Sequence, residues 1–329
     1  MILLMVLVNW AIVLLLGDDG CGKFEVMITG KTKLLGVIGD PVEHSLSPVM
    51  QNAALNELGL DYVYVPLPVK KGDLNRALAG FTAIDLVGFN ATIPHKQAII
   101  PLLDRITPEA QKVGAVNTVW RTEKGWEGTN TDVDGFIAPL IPLDRDWSQV
   151  MPVILGNGGA ARAVIVGCEK LGCSKVAVVG RNREKLEQFQ RSWEETGLKT
   201  EICPYSWQDL PNLLSQTQLL VNTTPIGMSP QIESSPVEAT ALKHLPNGAI
   251  VYDLIYTPRP TRFLQLAQQL GEYTTIDGLE MLIQQGAIAL ETWLEQPIPI
   301  EVMREALHSV ITCQESTISY FTLQIFPKS

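Results

Sequence analysis

Val153-Ile154-Leu155-Gly156-Asn157-Gly158-Gly159-Ala160-Ala161-Arg162-Ala163 is the stretch that decides the fold. Three aliphatic residues read as a buried strand, the glycines as a tight turn, and Ala160 to Leu171 as the helix that follows. Without Cβ atoms in the turn, backbone N–H groups at the positive end of that helix can approach a pyrophosphate. Gly156, Asn157, Gly158, Gly159 and Ala160 therefore read as a dinucleotide-binding turn. The spacing departs from the plain G-x-G-x-x-G pattern, and a tight turn that binds nothing would use the same glycines; the strand-to-helix context is what favours the nucleotide.

The next expected strand, Lys175 to Val179, runs into Gly180-Arg181-Asn182-Arg183. In NAD-binding units an acid near this point accepts hydrogen bonds from the ribose 2′-hydroxyl, and no carboxylate stands in these four positions. A guanidinium there would instead grip a 2′-phosphate in bidentate fashion, which points to NADP; the alternative is that Arg181 and Arg183 are solvated loop charges. Helix Glu184 to Trp193, the apolar run Leu219-Leu220-Val221, strand Ala249 to Leu254 and helix Thr261 to Leu270 continue the alternation. A Rossmann-like unit with a mostly parallel sheet is expected.

A second α/β unit precedes it. Lys33 to Ile38 reads as a strand entering the turn Gly39-Asp40-Pro41, and Pro48 opens a helix closed by Gly59. Tyr62 to Leu67 is a strand, Leu74 to Ala79 a helix and Leu86 to Ala91 a third strand, after which the chain up to Val153 reads as helix and loop. Three polar clusters punctuate this unit. His44-Ser45-Leu46-Ser47-Pro48 sets two hydroxyls ahead of a helix, where they would cap it or receive a small anion. Asn90-Ala91-Thr92-Ile93-Pro94-His95-Lys96 lies at the end of a strand, where α/β proteins hold ligands. Gly128-Thr129-Asn130-Thr131-Asp132 adds a carboxylate, and Asp132 near Lys96 would form a buried or half-buried pair poised for proton transfer. His44 and His95 have no second ligand at metal spacing, so no metal is expected, and Met228 and Met281 read as core by residue type.

Composition bounds the answer. A chain of 329 residues favours two domains. With 46% hydrophobic and 18% charged residues, it is globular rather than disordered. A net charge of −10 without basic clusters argues against nucleic acid as a partner. Five cysteines, an odd number with no C-x-x-C, argue against a disulfide framework or a cysteine zinc site, so reduced thiols in a cytoplasmic protein are the simplest reading. The opening MILLMVLVNWAIVLLL is shorter than the roughly 18 to 20 apolar residues that span a bilayer, and no base precedes it. It reads as an extension upstream of a start at Met27, as an interfacial anchor or as a signal segment. The end, QESTISYFTLQIFPKS, shows loose β-like alternation and is expected to be a poorly ordered tail.

In combination these motifs resemble the shikimate dehydrogenase family from about Leu34 to Leu307. The resemblance is carried by Ser45-Leu46-Ser47, Asn90-x-Thr92-x-Pro94-x-Lys96, Gly114-Ala115-Val116-Asn117-Thr118, Asn130-Thr131-Asp132, and the glycine turn. It continues through Asn222-Thr223-Thr224-Pro225-x-Gly227-Met228, Asp253-x-x-Tyr256 and Gly278-Leu279-x-Met281-Leu282-x-x-Gln285. It implies an NADP-linked interconversion of shikimate and 3-dehydroshikimate, a step toward chorismate and the aromatic amino acids. It further implies that Ser45 and Ser47 hold the substrate carboxylate, that Asn90, Thr92, Asn117, Asp132, Tyr256 and Gln285 surround the ring hydroxyls, and that Lys96 and Asp132 form the catalytic pair. On the cofactor side it adds Leu254 and Gly278 to the glycine turn and the Gly180–Arg183 loop. The implied division is 33–131 with 276–312 as substrate domain and 132–275 as NADP-binding domain, flanked by an extension at 1–32 and a tail at 313–329. The last helices, about Ile276 to Leu307, would cross back and leave the cleft between the lobes. The implied partner is the small-molecule substrate, without nucleic acid or metal, and a homodimer is left open.

Two positions depart from the family pattern: Asn157 stands where Ala is frequent, and Gly180 where an Asn often precedes the phosphate-binding Arg. Asn182 and Arg183 would compensate. A quinate or dual quinate/shikimate dehydrogenase is the nearest rival, disfavoured by the pair Ser45 and Ser47 and by the missing acid. A catalytically dead ligand sensor is disfavoured by the presence of both Lys96 and Asp132. Oxidising a secondary alcohol needs the hydroxyl proton removed as hydride leaves, and a positioned base contributes roughly 10²- to 10⁴-fold. A lysine is a poor base at neutral pH unless desolvated, and a neighbouring carboxylate favours the ammonium, so Lys96 as base and Lys96 as proton donor both stay open.

Overall fold

The computed structural model describes residues 28–325, and the readings of residues 1–26 lie outside them. No helix among the described residues is long and apolar enough to cross a membrane. The chain begins β1 (Lys33–Gly39), α1 (Ser47–Glu57), β2 (Tyr62–Pro68), α2 (Leu74–Ala83), β3 (Gly88–Ala91), α3 (His95–Ala98), β4 (Arg105–Ile106) and α4 (Pro108–Val113). The hairpin β5 (Thr118–Thr122) and β6 (Gly125–Thr129) and the helix α5 (Asp132–Ile137) follow. These strands form one sheet in the order β2-β1-β3-β5-β6-β4. β1 lies parallel to β2 and β3, while β3 with β5 and β5 with β6 are antiparallel.

The reading of everything between Ala91 and Val153 as helix and loop therefore misses a hairpin. Its strands do not alternate: β6 buries Trp126, Glu127 and Gly128 in succession. A buried glutamate, paired with Arg105, defeats a reading by hydrophobic period. The hairpin decides where the chemistry sits. Asn90 pairs with Thr118, and Thr118 with Thr129, so the end of β3, the start of β5 and the end of β6 form one row across the sheet.

The second unit runs β7 (Val153–Leu155), α6 (Gly159–Leu171), β8 (Lys175–Gly180), α7 (Arg183–Arg191), β9 (Glu201–Ser206), α8 (Leu210–Leu214) and β10 (Leu219–Asn222). It ends with α9 (Ala239–Leu242), β11 (Ile250–Asp253), α10 (Arg262–Leu270) and β12 (Thr274–Ile276). The sheet order is β12-β11-β10-β7-β8-β9, and every pairing is parallel. Its strands are near-continuous apolar runs because helices cover both faces. Each fully buried aliphatic side chain, such as Val153, Ile154, Leu155, Val178 or Val221, contributes about 1.5–3 kcal/mol. The order reverses between β7 and β10, the switch point outside which open parallel sheets bind ligands.

Two helices, α11 (Leu279–Leu294) and α12 (Ile300–Ile325), then return to the first sheet. Trp293 Nε1 donates to the Val119 carbonyl at 3.0 Å and Gln51 Nε2 to the Gly286 carbonyl at 2.9 Å. Leu279, Ile283, Leu290, Met303 and Leu307 share a core with Leu35, Met50 and Tyr64. Arg304 grips Glu280 through two nitrogens, tying α12 to α11. The β-like tail expected after Cys313 is instead helix as far as Ile325, because no glycine or proline stands between Pro299 and Pro327 to stop it.

Candidate active site

The row across β3, β5 and β6 explains how two residues far apart in sequence meet. β3 leads to Lys96 in α3, and β6 leads to Asp132, the first residue of α5, at the same end of the sheet. Lys96 Nζ donates to Asp132 Oδ2 at 2.6 Å, with side chains 20% and 7% exposed. Such a pair is poorly screened by salt. Asp132 Oδ1 accepts from Asn117 Nδ2 at 2.9 Å, and the Asp132 N–H donates to Asn130 Oδ1 at 3.0 Å. An ammonium carries three N–H donors. Asp132 takes one of them, which leaves Lys96 donors for a ligand oxygen.

Around this pair the polar side chains interlock. Asn117 Nδ2 also reaches Thr131 Oγ1 at 2.9 Å and Gln285 Oε1 at 3.3 Å, while Asn117 Oδ1 accepts from the Thr131 N–H at 2.8 Å. Asn90 is buried, and its amide is engaged within the protein: Oδ1 accepts the Tyr64 hydroxyl at 2.7 Å, and Nδ2 donates to the Asn117 carbonyl and Thr118 Oγ1. Tyr64 joins this hydrogen-bonded cluster without having been singled out from the sequence; an aromatic in mid-strand carries no polar signal. Burial pushes its phenol pKa well up, opposed by the Ser47 hydroxyl beside it. Ser47 is buried at the start of α1 and half-buried Ser45 accepts its N–H at 3.3 Å, while Thr92 is half-buried. Tyr256, which follows β11 of the other sheet, lies against the Leu46 backbone; burial raises its phenol pKa, and that contact opposes the rise. His95 is buried with Nε2 2.7 Å from the Val69 carbonyl, and His44 is exposed. Met281 is core, whereas Met228, read as core by type, is 46% exposed on the loop after β10.

At the switch point, Gly156 adopts φ +102°, a conformation that favours glycine, and a Cβ there would lie 2.9 Å from Thr223 Oγ1. At Gly158 and Gly159, by contrast, an added Cβ would meet nothing within 4 Å. The protein's own packing does not require these glycines. Open backbone before the thirteen-residue α6 fits close approach of phosphate groups, with half-buried Asn157 and Ala160 beside it. Gly180 is buried against Leu186. Arg181 is exposed. Arg183 forms an exposed ion pair with Glu187 at 3.1 Å, and Asn182 Oδ1 accepts the Lys185 N–H at 2.9 Å as the cap of α7, which leaves the Asn182 amide nitrogen as a donor. Across the crevice, a Cβ on Gly278 would run into the Leu254 carbonyl, and the Leu254 N–H donates to the Asn222 carbonyl at 3.1 Å.

Asp253 organises that side, a role for which its place in a motif was the only sequence signal. It is fully buried, accepting Asn222 Nδ2 at 2.9 Å, the Ile255 N–H at 3.1 Å and Thr261 Oγ1 at 2.7 Å. Burial raises its pKa to about 6 against those hydrogen bonds.

A parallel sheet with a glycine turn at its switch point, joined to a second sheet that carries a lysine–carboxylate pair, defines a Rossmann-type dinucleotide-dependent dehydrogenase. Residues 37–119 match the family model for the shikimate dehydrogenase substrate binding domain, and residues 278–308 that for the shikimate 5'-dehydrogenase C-terminal domain. The shikimate dehydrogenase (NADP(+)) of Gloeothece citriformis is 63% identical over 285 residues, 87% of this chain and 99% of that one. The enzyme of the same name from Microcystis aeruginosa is 65% identical over 281 residues, 85% and 98% of the two chains. A crystal structure of a shikimate dehydrogenase in complex with NADP+ superimposes with a TM-score of 0.76 at 37% identity, covering 88% of this chain and 99% of that one. The chain belongs to the shikimate dehydrogenase family.

Proposed function

We propose that the chain catalyses the reversible NADP-linked reduction of 3-dehydroshikimate to shikimate, in the cytoplasm, as a step toward chorismate and the aromatic amino acids. The observation that carries this is the half-buried Lys96–Asp132 pair at 2.6 Å, set at the end of a sheet joined to a second, parallel sheet with a glycine turn at its switch point. The NADP-dependence carried in the names of close relatives supports the cofactor.

When bound, NADPH supplies hydride. The open turn at Gly156–Ala160 would hold its phosphates, Leu254 and Gly278 would add to the cofactor side, and the exposed Arg181, with Asn182 and Arg183, would address the 2′-phosphate. Lys96 donates a proton to the substrate's carbonyl oxygen in reduction and recovers it in oxidation, a contribution of roughly 10²- to 10⁴-fold. Asp132 holds Nζ in place and compensates its charge. Ser45 and Ser47, at the start of the eleven-residue α1, receive the carboxylate. Thr92, Asn117, Tyr256 and Gln285 address the ring hydroxyls, with Asn90 bracing Asn117 from behind. A site built to pair with hydroxyls rejects analogues that lack them. The free buried thiols Cys168 and Cys173 accord with a reducing compartment.

The test is initial rates with shikimate and with quinate, each with NADP+ and NAD+. Shikimate with NADP+ should give the highest kcat/KM by about tenfold or more; a preference for quinate or for NAD+ would contradict the reading.

A further inference from the structure

Arg162, in the first turn of α6, is 5% exposed, and the partners its guanidinium finds are uncharged. It lies over the ring of Trp193 at 4.2 Å and that of Phe189 at 5.6 Å, and Nη1 donates to Ser192 Oγ at 2.7 Å. Burial lowers its pKa to about 10, so it is a cation held at some cost. An apolar side chain of the same size often packs such a place with equal or greater stability. What the cation holds gives the reason for its presence.

Nε donates to the carbonyl of Val113, the last residue of α4, where the negative end of a helix dipole favours a cation. Gly114 follows at φ +66°, and a Cβ there would lie 2.7 Å from Nη2, so the guanidinium covers this backbone closely. The residues immediately beyond reach both members of the catalytic pair. The Val116 N–H donates to the Lys96 carbonyl at 2.7 Å. The Ala115 carbonyl accepts Asn130 Nδ2 at 2.9 Å, and Asn130 Oδ1 in turn holds the Asp132 N–H. Asn117 Nδ2 holds Asp132 Oδ1 directly. One anchor thus connects the helix that opens at the glycine turn to the backbone under Lys96 and Asp132. Two ion pairs join the same helices, Lys112 with Glu169 at 2.7 Å and Lys170 with Glu109 at 2.6 Å, so α4 and α6 meet as a fixed seam.

We propose that Arg162 is a positioning residue for the reaction: from the nucleotide-side helix it fixes Val113–Asn117 and, through that segment, the geometry of the Lys96–Asp132 pair. The inference rests on the functional reading above. The experiment compares wild type with Arg162→Lys, Arg162→Met and Ser192→Ala for kcat, for KM of shikimate and of NADP+, and for the pH profile of kcat. The two Arg162 variants should lose about 10- to 100-fold in kcat with KM for NADP+ changed less than about threefold, and their pH profile should be displaced from that of wild type. A purely structural role would reduce the folded fraction and scale the amplitude while leaving the profile superimposable; that outcome overturns the proposal, as does a loss confined to KM for NADP+. If the Arg162 variants fail to fold, Ser192→Ala, which removes the Nη1 tether together with the serine's own bond to the Phe189 carbonyl, decides: a kcat lowered about two- to tenfold with a displaced profile supports the proposal, and wild-type values refute it. Absence of shikimate turnover by wild type would instead refute the functional reading itself.

Discussion

Asn117 Nδ2 holds one oxygen of Asp132 at 2.9 Å while Lys96 Nζ holds the other at 2.6 Å, so both oxygens of this buried carboxylate are engaged before a ligand arrives. In the proposed mechanism that arrangement suits Asp132 as an orienting group, with Lys96 exchanging the proton. Removing the Asn117 donor takes a hydrogen bond from a charged, buried acceptor, worth about 1.5–3 kcal/mol. Asn117→Ala should lower kcat about 10- to 100-fold, and steady-state rates at saturating shikimate check it. Loss confined to KM would instead make Asn117 a ground-state binding residue.

Gly158 and Gly278 give a contrast between two glycines on the cofactor side. Gly158→Ala meets nothing within 4 Å, so its thermal midpoint should stay within a few degrees of wild type while KM for NADP+ rises about tenfold. Gly278→Ala drives a methyl into the Leu254 carbonyl and should lower the midpoint clearly. Thermal melts and NADP+ titrations of the two variants separate packing glycines from ligand glycines; equal behaviour would remove the distinction.

Arg181 tests cofactor choice. If its guanidinium pairs with the 2′-phosphate, Arg181→Gln should raise KM for NADP+ about tenfold or more and leave KM for NAD+ unaltered. Parallel changes in both would show that the arginine acts only as a general surface charge.

Asp253 sets a pH dependence of stability. Its pKa in the folded state, about 6, lies above the ordinary carboxylate value, so the folded protein binds a proton more readily than the unfolded chain. The stability this contributes is present below about pH 4 and is lost as pH rises through about 6, an order-of-magnitude change of up to ~3 kcal/mol. In Asp253→Asn the amide oxygen still accepts from Asn222 and Ile255, and the amide nitrogen can donate to the Thr261 hydroxyl. Urea unfolding of both proteins at pH 4, 5, 6 and 7 should show the variant gaining on wild type as pH rises. A difference independent of pH would show that Asp253 does not titrate in this range.

The nucleotide half was largely legible because its strands are short apolar runs between strong punctuation: Val153–Leu155 is found as read, and Lys175, Leu219 and Thr261 mark their elements within a residue. The hairpin β5–β6 was not, since Glu127 is buried by pairing with Arg105 rather than by pattern. Within the site, Lys96 and Asp132 were legible as a pair, but the strand row that brings them together was not. Tyr64 and Arg162 escaped because their roles lie in what surrounds them: a phenol between Asn90 and Ser47, and a guanidinium between two rings and a carbonyl. In the loop after β8, the use of the Asn182 side-chain oxygen as the cap of α7 was a further detail that residue type did not show.

The most direct measurement is turnover and shikimate affinity of Lys96→Met. The proposed proton donor is then absent while Asp132, Asn117 and the serines proposed to receive the carboxylate remain. The account predicts kcat lower by about 10²- to 10⁴-fold with the dissociation constant for shikimate changed only a few fold. A variant that turns over shikimate at the wild-type rate would contradict it.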